Sequence, residues 1–246
     1  VLLAVLADVQ THGRGRAGRT WISPPGTGLY FSAYLRPGWT PGRTALLTLA
    51  AGLAAIECCA EAGARPALKW PNDLMAPDDT GRKLGGILTE TRTEGRVVPE
   101  AVIGIGINLR PPPGGWPPEL DGLGVSLEEL AEAARRTAPG IEGLIAPPAA
   151  PAPPLPDTES FATRLLARLD EEIEILARDG GELDLIARGR ERSGLWGRRI
   201  RVEGEGGTVF GVARDLAEDG GLVVRLDSGI ERVVHSGDVR VTWSEP

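Results

Sequence analysis

Two lysines, two asparagines and one glutamine stand out in a chain that otherwise uses arginine for its positive charge. Of 27 basic residues only Lys69 and Lys83 are lysine, and Asn72, Asn108 and Gln10 are the only side-chain amides. Lys83 opens the segment Lys83-Leu84-Gly85-Gly86. Glycines inside a strand pack nothing and cost backbone entropy, so they make sense where a ligand must lie against the main chain. Lys83 would then reach the ligand's polar end. Lys69-Trp70-Pro71-Asn72-Asp73 ends a short strand at a proline, which sets the direction in which Asn72 and Asp73 leave the sheet. An amide beside a carboxylate can orient a nucleotide and hold a hydrated Mg²⁺. In Ile103-Gly104-Ile105-Gly106-Ile107-Asn108 the glycines alternate with isoleucines, leaving one strand face as bare backbone. Such a face suits a flat apolar ligand, and Asn108 at its end suits phosphate or metal. Plain structural readings stand beside each: turn caps at Asn72, Asp73 and Asn108, and a bulge with an exposed lysine at Lys83.

A fourth segment carries Gly13, Gly15 and Gly18 in the spacing of a dinucleotide fingerprint. That fingerprint needs a helix at once, and Trp21-Ile22-Ser23-Pro24-Pro25-Gly26 opposes one. A kinase-type glycine loop fails as well, because no matching catalytic-loop motif follows. What remains is a flexible loop with Arg14, Arg16 and Arg19, able to close over a ligand and pair with phosphate or carboxylate oxygens. The alternatives are an RNA-binding Gly/Arg tract, poorly supported on a chain of net charge −7, and a solvated basic turn.

These segments need elements to position them. Residues 1–9 read as a buried strand, and 29–35 as a half-buried one with Leu29, Phe31, Ala33 and Leu35 inward. Residues 41–62 suit a helix capped by Gly63. Residues 67–70 form a short strand, and 84–91 with 97–108 a hairpin. Ser126 and Glu129 make a capping box for a helix to about Arg136. A Pro/Ala-rich connection spans 139–156. A helix then carries Phe161, Leu165, Leu169, Ile173 and Leu176 on one face, and a shorter one runs over 182–190. From Leu195 the pattern changes to closely spaced short strands at 199–202, 208–213, 222–226, 230–234 and 239–243, the size of a small barrel. The domain boundary falls near Ser193.

At 246 residues with 41 % hydrophobic content, the chain can bury one large core or a large and a small one. The most apolar run, 44–56, is short for a membrane span. Residues 1–7 lack the flanks of a signal peptide. Cys58 and Cys59 match no zinc spacing and read as reduced packing residues of a cytoplasmic protein. The acidic balance argues against a broad nucleic-acid surface.

Taken together and in this order, the segments resemble the biotin–protein ligases, the biotin–[acetyl-CoA-carboxylase] ligases of the monofunctional type without a DNA-binding domain. Residues 10–21, 69–74, 83–88 and 104–108 carry the likeness, with 29–37 and 116–120 adding to it. The resemblance implies an α+β fold: a class II aminoacyl-tRNA synthetase-like mixed β-sheet with helices over 1–193, then an SH3-like β-barrel over 194–246. It implies that ATP and biotin form biotinyl-5′-AMP, with Mg²⁺, and that biotin passes to one lysine of a biotin carboxyl carrier domain. DNA and membrane are not expected as partners. By the same resemblance Lys83 and Arg16 are catalytic. Biotin would be held by Gln10, Gly13, Arg14, Arg16, Lys83, Gly86, Gly104 and Gly106. ATP would be held by Arg16, Arg19, Trp21, Lys69, Asn72, Asp73, Lys83 and Asn108, and the metal by Asp73 and Asn108. Two departures are Ala17, where some relatives place arginine, and the lack of an upstream Ser/Thr-rich biotin-binding turn, which implies an N-terminally incomplete sequence. A lipoate-type ligase and a non-catalytic binding module are the competing readings.

Overall fold

The structure is a computed structural model that describes residues 1–78, 80–137, 155–204 and 207–241. Six strands make the large sheet: β1 (Leu3–Ala7), β2 (Gly28–Leu35), β3 (Ala67–Lys69), β4 (Asp73–Met75), β5 (Lys83–Glu94) and β6 (Val97–Asn108). Their order is β1-β2-β6-β5-β4-β3. Each of the five pairings is antiparallel. The mixed strand direction expected of this sheet is limited to single parallel bridges, Leu68 with Ser193 and Lys83 with Gly124.

Alternation divides the sheet into two faces. Leu29, Phe31, Ala33, Leu35, Ile103, Ile105, Ile107 and Ile87 turn inward and are buried. Against them pack α1 (Pro41–Ala45), α2 (Leu47–Glu61), α4 (Thr158–Ala177) and α5 (Gly181–Arg192), while α3 (Leu127–Thr137) follows the sheet. The helix expected over 41–62 is broken at Leu46, and Thr40 caps its first part through Arg43 N. Residues Pro41–Glu61 are long and apolar enough to cross a membrane, yet 67 % of that window is buried, as in a core helix. Helix α2 is rich in alanine, which lets both α4 and the sheet pack closely against it. At Gly52 a Cβ would stand 2.7 Å from Leu68 Cδ2, so a larger residue there would require the Leu68 side chain to shift.

Helix α4 starts where Asp157 accepts from Ser160 N at 2.8 Å. It buries Phe161, Leu165, Leu169 and Leu176, the stripe expected from the sequence. Its buried Glu172 accepts both Nη groups of Arg188 on α5, at 2.7 and 2.6 Å. The capping box is present, Ser126 N donating to Glu129 Oε2 at 2.7 Å and Glu129 N to Ser126 Oγ at 3.2 Å.

Strand β1 departs from expectation. Among the described residues it is an edge strand pairing only with β2, and Leu2, Leu3 and Val5 are exposed. An apolar run of this length cannot distinguish an edge from a centre, because that depends on which strand lies beside it.

The small sheet comprises β7 (Arg199–Gly204), β8 (Gly207–Leu216), β9 (Leu222–Arg225), β10 (Glu231–Val234) and β11 (Asp238–Val241), ordered β10-β9-β8-β7-β11. It encloses a second core of Leu195, Ile200, Val202, Val209, Ala213, Leu222, Val224 and Val239. The SH3-like sheet leaves β10 and β11 as edges, unpaired with each other among the described residues. Trp70 and Trp196 pack against both cores. The Pro/Ala-rich connection lies outside the described residues over 138–154, as does the end of the expected last strand, 242–243.

Cys58 and Cys59 are free and buried on α2. Burial pushes the Cys58 thiol up to about 12 and raises that of Cys59 too. Both should therefore resist a thiol-alkylating reagent at pH 8 in the folded chain and react once denaturant unfolds it. Labelling of the native chain at the denatured rate would contradict this burial.

Candidate active site

Strand register assembles the site. On the face away from the helices, Tyr30 on β2 lies opposite Gly106 on β6, and Gly106 opposite Gly86 on β5. Gly86 in turn lies opposite Asp73 on β4, and Asp73 opposite Lys69 on β3. One transverse row thus brings together four segments far apart in the chain. Gly104 sits one step away, between Ser32 and Leu88.

The Gly/Arg segment is folded as a hairpin. Gln10 bridges Ser23, Trp21 N donates to Gly13 O at 2.9 Å, and Gly15 N to Arg19 O at 2.7 Å. Its glycines serve this hairpin. A Cβ at Gly13 would stand 2.3 Å from Trp21 O, and Gly18 has a φ of +72°. Ala17 at the tip also has positive φ, 53°. Tyr30 ties down the returning end, its hydroxyl donating to Pro24 O at 2.8 Å. Burial pushes that phenol up, and the Thr27 hydroxyl offsets part of the rise.

Trp21 swings over the row of glycines. A Cβ on Gly106 would fall 2.6 Å from the indole, and one on Gly86 3.5 Å from it. The bare backbone expected to receive a flat ligand thus first receives Trp21. Gly104 remains clear, since its Cβ would meet only Leu88 at 3.6 Å. Lys83 Nζ stands 5.4 Å from the Trp21 ring centroid, within cation–π range. The same ammonium contacts Asp73 Oδ1 at 2.6 Å, while Lys69 Nζ contacts Asp73 Oδ2 at 3.5 Å. One carboxylate therefore holds both lysines of the chain.

Around them lies a cavity of about 660 Å³, a size that suits a nucleotide-sized ligand. Its lining includes Gln10, Arg14, Arg16, Arg19, Trp21, Lys69, Asn72, Asp73, Lys83, Gly86, Gly104, Gly106 and Asn108. Gly13 alone among the expected site residues is placed elsewhere, inside the hairpin. The amides are partly spent on architecture. Asn72 Nδ2 donates to Ile87 O at 2.8 Å and its Oδ1 accepts from Arg16 at 3.1 Å. Asn108 Nδ2 donates to Lys83 O and Val125 O at 3.3 and 3.2 Å, which uses both its protons. Asn108 can therefore offer an incoming group only its oxygen, which fits a cation and not a phosphate.

Glu90, Asp238 and Arg240 also line the cavity and lay outside the sequence reading, whereas Trp116 fell within a stretch of family likeness but was given no role. Trp116 packs flat on Gly124, and its buried Nε1 has no partner, like that of Trp21. Asp238 and Arg240 come from the small sheet, beyond the reach of any local motif. No cluster of three His, Cys, Asp or Glu suited to a metal occurs among the described residues. With one carboxylate and one amide oxygen here, a cation would take most of its ligands from phosphate and water, as Mg²⁺ does.

Residues 2–108 match the model of the biotin/lipoate A/B protein ligase family, and residues 196–241 that of the biotin protein ligase C terminal domain. The chain is 35 % identical to the biotin--[acetyl-CoA-carboxylase] ligase of Mycobacterium tuberculosis, over 96 % of this chain and 78 % of that protein. It is 42 % identical to the bifunctional ligase/repressor BirA of Bacillus subtilis over 52 % of this chain, a match spanning 38 % of that protein's length. The solved structure of the Aquifex aeolicus biotin protein ligase in complex with biotin and ATP is similar at a TM-score of 0.75 and 26 % identity, over 97 % of this chain and 89 % of that one.

The glycine contacts make a prediction. Gly106→Ala should displace the Trp21 indole and change its fluorescence, whereas Gly104→Ala should leave it unchanged. With six tryptophans in the chain, each signal is read as the difference from the same variant carrying Trp21→Phe. Equal behaviour of the two glycine variants would contradict the stacking.

Proposed function

Because the chain belongs to the biotin/lipoate A/B protein ligase family, we propose that it is an ATP-dependent biotin–protein ligase. Its catalytic domain would span residues 1–193 and its C-terminal domain 194–246. The observation that carries this reading is the pair of ammonium groups held by Asp73 beside a glycine-floored cavity, with an arginine hairpin across its mouth. The C-terminal match, which bears the name of biotin protein ligases, favours biotin over lipoate.

The chemistry begins with an electrostatic problem. A biotin carboxylate oxygen must attack the α-phosphorus of ATP, forming a mixed anhydride as the bond to pyrophosphate breaks. Two unit charges at 4 Å repel by about 4 kcal/mol at an effective dielectric of about 20. Lys83 would bridge the carboxylate and the α-phosphate, and Lys69 and Arg16 would add positive charge to the same oxygens. Mg²⁺ would be held by Asp73 and the Asn108 oxygen and would neutralise the phosphates. Gln10, Arg14, Gly86 and Gly104 would contact biotin. Arg19, Trp21 and Asn72 would contact the nucleotide, and Trp21 would wall it off from biotin.

In the second step the neutral amine of a carrier lysine attacks the acyl carbon. The carbonyl re-forms, AMP leaves and the amine proton passes to solvent. The acceptor would be the biotin carboxyl carrier domain of a carboxylase, in keeping with the name of the mycobacterial relative. Between the steps the hairpin keeps the reactive anhydride from stray lysines. A reducing, cytoplasmic setting suits the free thiols of α2.

Biotin-dependent exchange of pyrophosphate into ATP tests the reading directly. Wild-type chain should catalyse it, chelation of Mg²⁺ should stop it, and lipoate should not replace biotin. Lys83→Ala should lower exchange by about a hundredfold or more, as loss of a charge-stabilising group does. Lys83→Arg should not restore it, because a planar fork cannot replace a compact ammonium. Arg16→Gly should keep adenylation but release biotinyl-AMP and label bystander proteins. Absence of exchange by the wild type would leave the non-catalytic module as the better account.

A further inference from the structure

A second cavity, of about 390 Å³, shares the turn from Lys69 to Asp73 as a wall with the first. Another part of its wall comes from the small sheet, where Asp219 and His235 meet. Asp219 lies in the turn between β8 and β9. Its Oδ1 accepts from Gly221 N at 3.0 Å, and its Oδ2 contacts His235 Nε2 at 2.7 Å. A Cβ at Gly221 would stand 3.1 Å from both side chains, so the pair packs down on a bare glycine. The tip of this turn, Gly220, accepts from Trp70 Nε1 at 3.0 Å, and its α-carbon faces Leu46, to which a Cβ would come within 2.7 Å. Trp70 is the chain neighbour of Lys69. His235, for its part, stands two residues before Gly237, whose carbonyl oxygen is 3.5 Å from Arg16 at the first cavity. One histidine–aspartate contact therefore ties together two loops of the small sheet that both reach the lysine-bearing centre.

We propose that His235 and Asp219 are positioning residues, a pH-sensitive staple that sets how firmly the β8–β9 turn holds Trp70 and, through Trp70, where Lys69 and Asp73 stand. The proposal rests on the ligase reading only for the reaction that this turn serves. Gly221 N first, and His235 after it, hold the Asp219 carboxyl below its usual range. Asp219 thus stays charged at neutral pH and loses its charge only as the pH falls into the carboxylate range. Histidine changes its charge between pH 5 and 8. The other charged groups lining this cavity are Arg16, Lys69 and Asp73, which leaves His235 as its only imidazole among the described residues. Below neutrality the contact is ionic on both sides. Above it, a neutral N–H donates to the carboxylate in a bond about half as strong. The two side chains are 62 % and 59 % exposed. The change of charge therefore moves the balance between a held and a released Trp70 by up to about fivefold, as exposed pairs do.

The indole N–H signals of the full chain, read by NMR, test the staple. The Trp70 signal is identified by its loss in Trp70→Phe. Between pH 5.5 and 8.5 it should move through one step. That step should persist in His12→Gln, which removes the other histidine of the chain, and vanish in His235→Gln and Asp219→Asn. Trp196, whose Nε1 donates to Arg190 O at 2.7 Å, should stay still throughout and serves as the reference. Biotin-dependent pyrophosphate exchange reads the consequence. His235→Gln keeps an N–H donor but not the charge, so at pH 6 its kcat/KM for ATP should be two- to fivefold below wild type, and at pH 8.5 the two should converge. A purely structural histidine would give a pH-independent difference. No step in the wild type, a step retained in His235→Gln, an equal step at Trp196, or equal kcat/KM at pH 6 would each overturn the staple. If the wild type catalyses no exchange, the ligase reading fails, and the Trp70 titration still decides whether the staple exists.

Discussion

Everything at this site depends on the registration of five antiparallel strands. Tyr30, Gly106, Gly86, Asp73 and Lys69 share one transverse row because β2, β6, β5, β4 and β3 pair in register at those residues. Side chains alternate along a strand, so a slip of one residue would replace Gly106 by Ile105 or Ile107 and fill the cavity floor. The helix-side core enforces the register. Ile103, Ile105 and Ile107 are each buried within 2 % of full occlusion, and none can be turned to the other face without leaving a void under α2. The alternating isoleucine and glycine of β6 is therefore one device with two sides. One side drives folding through burial, and the other keeps backbone bare for Trp21 and a ligand.

Charge placement follows from that row. Asp73 reaches two ammonium groups because the register puts Lys69 opposite it and the bulge at Leu74–Met75 brings Lys83 to its other oxygen. An arginine at either position would fork around the carboxylate and satisfy it in a single bidentate pair. A lysine makes one point contact and keeps donors free for an incoming anion. In a chain that uses arginine nearly everywhere, both lysines survive at this one carboxylate. Composition explains their scarcity, and the shared counter-ion explains their address.

The sequence made legible the parts that rest on local chemistry. The scarce lysines and amides marked the centre, alternation marked β2 and β6, and the capping box and the Phe161–Leu176 stripe marked their helices. The Gly13, Gly15 and Gly18 spacing was correctly separated from a dinucleotide loop, but its purpose was not visible. A hairpin that passes Trp21 O within 2.3 Å of a Gly13 Cβ exists only once the chain has turned back on itself. Edge position was equally hidden, since nothing in residues 1–9 says that only β2 lies beside them. Glu90 and Asp238 had no signal at all. Each is an ordinary acidic residue on a strand, and its meaning comes from an arginine 76 or 219 positions away.

That last distance bears on what the small sheet is for. A domain attached only by its linker would leave few specific contacts with the large sheet. Here Trp70, next to Lys69 in sequence, donates its Nε1 to Gly220 O at 3.0 Å, and Arg198 Nε donates to Gly194 O at the junction at 2.7 Å. Trp70 and Trp196 are shared by both cores, so the junction is packed as well as hydrogen-bonded. The small sheet is thereby held in a fixed place relative to the lysine-bearing turn. From that place Gly237, Asp238 and Arg240 face the cavity mouth. A packed junction is what lets β11 supply Asp238 to the hairpin of the other domain, where it pairs with Arg19. The tryptophan-packed junction and the charged mouth are therefore two parts of one arrangement, the first fixing the distance across which the second forms its ion pair.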